Sequence, residues 1–347
     1  MSGPTTDLSI ALDQRGRASV DFIGLLGRRN NALREHYPAI AEAAGFGEEA
    51  LDKDIAARAE QLAPVMEANP LFQTQQLLGE YHARNHGPIA AEAFHRVKEG
   101  LPFDIEGDCT LHLDPDLERP SYWEGVDYHR THGGWDLEEH TGYIHAEIVH
   151  RRMVEKIFPG GIFKMRRVAA GRAPRDHYDT ICELGCSTGH YTQALAETYP
   201  DAAITGVDLS HRGLEHCARV GNARGAAWTL HQRPAEDTQL PEASFDLVTS
   251  YILLHEIPAS VLQEVFDEAF RLLKPGGDLL MADVTRFADM SKIAVWRQDL
   301  IARMGGEPYW RETAQLDLAE IARNAGFEEA RAEGIFPHIV QGRKPLV

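Results

Sequence analysis

The spacing of hydrophobic positions changes halfway along the chain. Through residues 18–100 apolar residues recur at three- and four-residue steps, and Leu51, Ile55, Ala59, Leu62 and Met66 fall on one helical face. Pro38, Pro64, Pro70 and Pro88 punctuate this stretch, which predicts several short helices. No convincing strand alternation precedes residue 101. Residues 101–125, with Pro102, Pro115 and Pro120 among acidic side chains, predict an irregular connector. Helical spacing returns at 141–152, breaks at Phe158-Pro159-Gly160-Gly161, and reaches a seam at 171–175. Beyond that seam short apolar runs alternate with amphipathic ones. Strands are predicted at 178–184, 203–207, 227–230, 245–250 and 278–284, and helices at 190–198, 210–222, 261–273 and 316–325. Two strand candidates, 328–333 and 338–341, follow. Such alternation predicts a parallel sheet covered on both faces, with ligands beyond the carboxyl ends of its strands.

Composition narrows the partners more than the fold. The chain has 347 residues, and its 53 acidic against 35 basic residues leave a net charge of −18. That field repels phosphate backbones and anionic lipid, so neither nucleic acid nor membrane is expected as a partner. No apolar run is long enough to span a bilayer and no signal peptide is evident, which makes a cytoplasmic protein the expectation. Cys109, Cys182, Cys186 and Cys217 lack paired zinc spacing and are expected as free thiols.

The predicted strand ends carry the candidate chemistry. Glu183 closes the first strand of the second half, and Gly185-Cys186-Ser187-Thr188-Gly189 turns the chain into a helix. Glycines there let backbone amides approach a ligand. Asp208 ends the next strand, where a carboxylate accepts ribose hydroxyls. A dinucleotide or S-adenosylmethionine (SAM) would suit that pair. No third glycine stands at 190–192, and Glu183 would repel a pyrophosphate while suiting an ammonium group.

These residues resemble a known family. Glu183-Leu184-Gly185-Cys186-Ser187-Thr188-Gly189 is similar to motif I of class I SAM-dependent methyltransferases of the small-molecule type. Gly206-Val207-Asp208-Leu209-Ser210 resembles their second motif. Ser244 to Ser250 with Leu253-Leu254-His255-Glu256-Ile257-Pro258 resembles the fourth-strand motif, and Leu272-Leu273-Lys274-Pro275-Gly276-Gly277 the entry to the fifth strand. A late helix ending in Ala325-Gly326-Phe327 completes the order.

The resemblance implies an α/β fold with a Rossmann-like seven-stranded sheet, mostly parallel with an antiparallel edge strand, over residues 161–347. Residues 1–160 are then a mostly helical accessory region that caps a substrate or forms a homodimer. It implies SAM as cofactor and methyl transfer to a small molecule, with oxygen the first choice of acceptor atom, then nitrogen, sulfur or carbon. Glu183, Gly185 and Gly189 would meet the methionine end, Asp208 the ribose, and Leu209 and Ala235 the adenine, with Cys186 also binding the cofactor. Pro234 stands where much of the family has an adenine-binding Asp, leaving Glu236 or Asp237 for that role. Tyr251 would line cofactor or substrate, and His255, Tyr251 and Tyr143 are the catalytic candidates, with His255 as a general base. Two other classes stay open: a SAM-binding regulatory or scaffold protein without turnover, and an NAD-dependent oxidoreductase.

Two stretches lie outside the motifs. His129, His132, His140, His145 and His150 suit a metal site, a lid rich in polar aromatics, or a solvated helix face. Their spacing matches no compact ligand signature, so no metal is expected. Trp296, Tyr309 and Trp310, around Gly305-Gly306-Glu307-Pro308, would wall a pocket or pack against the first half.

Overall fold

The computed structural model describes residues 8–131, 134–136, 138–158 and 160–346. Eight strands form one sheet: β1 (Thr110–His112), β2 (Thr180–Leu184), β3 (Ala203–Asp208), β4 (Thr229–Gln232), β5 (Phe245–Tyr251), β6 (Leu273–Asp283), β7 (Glu328–Glu333) and β8 (His338–Arg343). Their order is β1-β4-β3-β2-β5-β6-β8-β7. Strands β1 to β6 are parallel, and β8 runs antiparallel to both β6 and β7. The chain reverses its direction of travel across the sheet between β2 and β5, and such a switch point opens a crevice at the strands' carboxyl ends.

The strand beyond the expected seven is β1, inside the predicted connector. Three residues, Thr110-Leu111-His112, are too few to show a period of two. They pair with Thr229, Leu230 and His231 and cover the edge of β4.

Alternate side chains of each central strand feed opposite apolar layers. Ile181, Ile204 and Leu247 pack with Leu195 and Leu214 from the helices His190–Thr198 and His211–Ala223. Cys182, Val207 and Val248 pack on the other face with Phe266 and Leu318, from Leu262–Leu272 and Leu318–Asn324.

The first part of the chain builds helices α1 (Gln14–Arg34), α2 (Tyr37–Ala43), α3 (Ile55–Glu67) and α4 (Pro70–His95). The side chains of Asp13, Asp54 and Asn69 cap α1, α3 and α4 by accepting backbone N–H groups. Pro64 and Pro88 were expected to break helices, yet both lie inside them. Beyond Pro88, Ala90, Ala93 and Phe94 pack against Val20 and Ile23 of α1. That burial offsets a lost backbone hydrogen bond and ring clash of about 3 kcal/mol.

The helical run near 141–152 departs from α-geometry. Ile144–Val154 is a π-helix flanked by Thr141–Tyr143 and Glu155–Ile157. Its i to i+5 bonding brings residues five apart together. His145 and His150 therefore meet with ring centroids 4.0 Å apart. No helix among the described residues is long and apolar enough to cross a membrane.

Candidate functional site

A cavity of about 230 Å³ opens beyond the carboxyl ends of β2, β3 and β5. Its floor is the turn after β2. Gly185 has φ +73°, and a Cβ there would come 2.7 Å from Leu253 Cδ1, so only glycine fits the backbone and the space. The Gly185 and Cys186 amides donate to Val207 O at 2.8 and 3.0 Å, which ties the turn to β3.

The two strand-end carboxylates sit in this floor. Glu183 is buried, and Thr192 Oγ1 donates to its Oε2 at 2.6 Å. Burial pushes its carboxyl up to about 8, against the Thr192 hydrogen bond and the Arg166 guanidinium. An ammonium group brought to that carboxylate restores its charged form. Asp208 Oδ2 accepts the Ser187 amide at 2.8 Å and Oδ1 accepts the Ser210 amide at 2.8 Å. Burial raises its carboxyl to about 6, while these amides pull the other way. Each oxygen keeps acceptor capacity for a hydroxyl.

Of the residues chosen from the sequence, Glu183, Gly185, Cys186, Asp208, Leu209, Ala235 and Tyr251 line the cavity. Four others are placed elsewhere. Gly189 faces helix His211–Ala223, where a Cβ would meet Cys217 Sγ at 2.8 Å. Glu236 accepts the hydroxyl of Tyr122, a lining residue, at 2.7 and 2.9 Å and is not itself in the lining. Tyr143 is buried among Phe94, Phe103 and His216 in the helical region. His255 is buried behind the wall, with Nδ1 2.7 Å from Asp283 Oδ1 and its ring edge-on to Trp310. Burial alone would lower its pKa, but the Asp283 carboxylate raises it to about 9. Its burial and its pairing with Asp283 set His255 apart from the residues that line the cavity.

The opposite wall comes from the segments before β2, including the histidine-rich stretch that the sequence offered as a lid, a metal site or a helix face. Tyr128, His129, Trp135, His145, His150 and Arg166 line it. Trp135 packs edge-on to His145, and His150 to His190. Burial and neighbouring positive groups push His145 down to about 3 and hold His150 and His190 low, so these three rings are neutral. The only local hint was the density of histidine and aromatic residues; His132 lies outside the described residues.

Arg166 adds a guanidinium to this wall. Its guanidinium lies 4.7 Å from the Tyr251 ring centroid, and its Nε is buried without a hydrogen-bond partner among the described residues. An unpaired buried donor costs stability and suits an anionic ligand group. The aromatics after β6 divide. Trp296 packs with Tyr37 and Phe72, Trp310 covers His255, and the Tyr309 hydroxyl donates to Tyr122 O at 3.0 Å. None of the three lines the cavity.

Asp136 ties the two walls together. It accepts the Ser210 hydroxyl at 2.6 Å and pairs with His211 and Arg119, each at 2.8 Å.

A family model for a methyltransferase domain matches residues 181–277. The chain is 29% identical over 163 residues to an arsenite methyltransferase of Aquipseudomonas alcaligenes, covering 44% of each chain. It is 35% identical over 104 residues to a fatty-acid O-methyltransferase of Mycolicibacterium smegmatis, covering 30% of this chain and 36% of that one. It is 31% identical over 154 residues to an uncharacterized methyltransferase of Synechocystis sp., covering 44% of this chain and 68% of that one. The match spans less than half the length of the first two of these relatives. With the strand order, the carboxylate-bearing strand ends and these likenesses together, the chain belongs to the class I SAM-dependent methyltransferases.

Proposed function

We propose that the protein transfers a methyl group from SAM to a small-molecule acceptor, in a pocket closed between the sheet and residues 1–160. The observation that carries this reading is one cavity with two unlike walls. The sheet side offers Glu183 and Asp208, and the other side offers aromatic and imidazole rings with the Arg166 guanidinium. Relatives named for arsenite and a fatty acid support a small acceptor.

The residues present fit the cofactor. Glu183 would hold its ammonium group, Arg166 its carboxylate, Asp208 its ribose, and Leu209 with the Ala235 backbone its adenine. SAM supplies an electrophilic methyl group on a sulfonium. The chain's contribution is to orient donor and acceptor and to exclude water, which accelerates a displacement between held partners. The capped cavity suits an enclosed acceptor better than a polymer.

Isothermal titration tests the reading. S-adenosylhomocysteine (SAH) is expected to bind and NADH is not; the reverse pattern overturns the proposal. An Arg166→Ala variant is expected to bind SAH about tenfold more weakly, the value of one charge-assisted hydrogen bond. Unchanged affinity would remove Arg166 from the site.

A further inference from the structure

A line of alternating carboxylates and imidazoles runs from the protein interior to the cavity wall. Asp283 Oδ1 lies 2.7 Å from His255 Nδ1. His255 Nε2 lies 3.5 Å from Glu256 Oε1. The same oxygen is 2.9 Å from His129 Nε2, and His129 Nδ1 is 2.7 Å from Glu307 Oε1. Five residues from four chain segments are joined end to end. Only Glu256 and His129 reach the cavity.

The backbone is distorted to make this line. His129 has φ +50° and Arg130 φ +56°, both in the left-handed region that non-glycine residues avoid. Two such residues in succession cost of order 1–3 kcal/mol each and persist where function holds them. The His129 amide donates to Gly306 O at 3.1 Å, which fixes the turn beside Glu307. A Cβ on Gly306 would come 2.9 Å from the Arg130 N, so the close approach depends on that glycine. Glu256 Oε2 and Glu307 Oε2 are buried and accept no hydrogen bond among the described residues.

Resting on the methyl-transfer reading, we propose that this line is the proton acceptor of the reaction, with Glu256 as its catalytic entry point and His129, Glu307, His255 and Asp283 as positioning residues. The acceptor atom forms its bond to the methyl carbon as the carbon–sulfur bond breaks. That electron pair stays on sulfur, and the acceptor's proton passes to the Glu256 carboxylate. The acceptor is therefore protic: a hydroxyl, a thiol or an amine N–H. A carboxylate acceptor has no proton to give and would gain nothing from the line.

Charge complementarity supports this assignment. Burial would lower both imidazoles, but their carboxylate neighbours hold His129 well above its ordinary value and His255 near 9. Two cations among three carboxylates leave one net negative charge to face a sulfonium. After transfer the thioether and the protonated line are both neutral, so no unpaired charge is stranded in a dry pocket. Among the described residues, the other groups facing the line add no cation that would undo this balance. Tyr128 donates to the Glu256 carbonyl at 3.2 Å, Trp310 covers His255, and Arg130 is paired with Glu80. His86 and His145 are held low by burial and by the His129 charge.

The test compares SAM with SAH, which differ at sulfur and share both ends, so Glu183 and Asp208 contribute equally. Isothermal titration at pH 7 in two buffers of unlike ionisation enthalpy reads proton uptake. SAH is expected to take up a fraction of a proton more than SAM, approaching about one. Glu256→Gln is expected to abolish that difference and to lower the preference for SAM over SAH about tenfold, the effect of one close charge. Glu307→Gln and His129→Asn should each reduce it, and they carry the test if Glu256→Gln fails to fold. Equal proton uptake for SAM and SAH in the parent overturns the proposal, as does a difference that survives in the variants. If neither ligand binds the parent, the methyl-transfer reading fails as well.

Discussion

An Asp208→Ala variant is expected to bind SAH at least tenfold more weakly than the parent, by isothermal titration. Asp208 closes β3 and serves two partners at once. Its Oδ2 anchors the Ser187 amide in the glycine turn, and its Oδ1 holds Ser210 at the start of helix His211–Ala223. Removing it deletes the proposed ribose acceptor and frees the turn that positions the methionine end. Each lost hydrogen bond to a charged group is worth about 1.5–3 kcal/mol, and one such loss already gives a tenfold change. Asp208→Asn keeps the shape and one acceptor, and should fall between the two. The parent's affinity should also drop as pH falls through about 6, because the carboxylate protonates there and one of its oxygens becomes a donor. Affinity unchanged in Asp208→Ala would remove this residue from the cofactor site.

The largest stability effect is expected at Asp283. This fully buried carboxylate pairs with His255 and accepts the amides of Leu254 and Val284, each at 2.7 Å. Asp283→Ala strands a buried imidazole and two amides, which should cost about 3–5 kcal/mol by denaturant titration. The pH dependence has a definite sign. The folded pKa of His255, about 9, lies above the unfolded value of 6.5. Its contribution is therefore fully present below about pH 6.5 and is lost as pH rises through about 9. The parent should become less stable across that window by about 3 kcal/mol, and Asp283→Ala should lose this slope. A variant that keeps the parent's slope would show that Asp283 does not hold the charge on His255.

Which parts of this could be read from the chain follows from how local each signal is. The short apolar runs, the glycine turn and the carboxylates at the ends of β2 and β3 are contiguous features, and they marked the sheet and its floor. β1 was invisible because three residues have no period, and pairing with β4 alone makes them a strand. His255 was chosen because it follows β5, but an address at a strand end does not give the direction of a side chain. The next residue, Glu256, is the one on the cavity wall. Tyr143 was chosen from the helical stretch before the second half. The structure packs it against Phe94, while the π-turns that follow bring His145 and His150 together on the cavity wall. Arg166 carried no local signal and His129 only that of a histidine-rich stretch, because their surroundings depend on Tyr251, Glu256 and Glu307, all far away in sequence.

β1 also has a practical consequence. A fragment beginning at residue 161 would keep every methyltransferase motif and yet lose the strand that seals β4. The naked edge would present Leu230 between exposed amides and carbonyls, a template for pairing with another chain. Such a fragment is expected to aggregate through that edge, visible as light scattering at concentrations where the full chain stays dispersed. The segment at Thr110–His112 thus works as a solubility device, and genetic dissection of the two halves should leave it attached to the sheet.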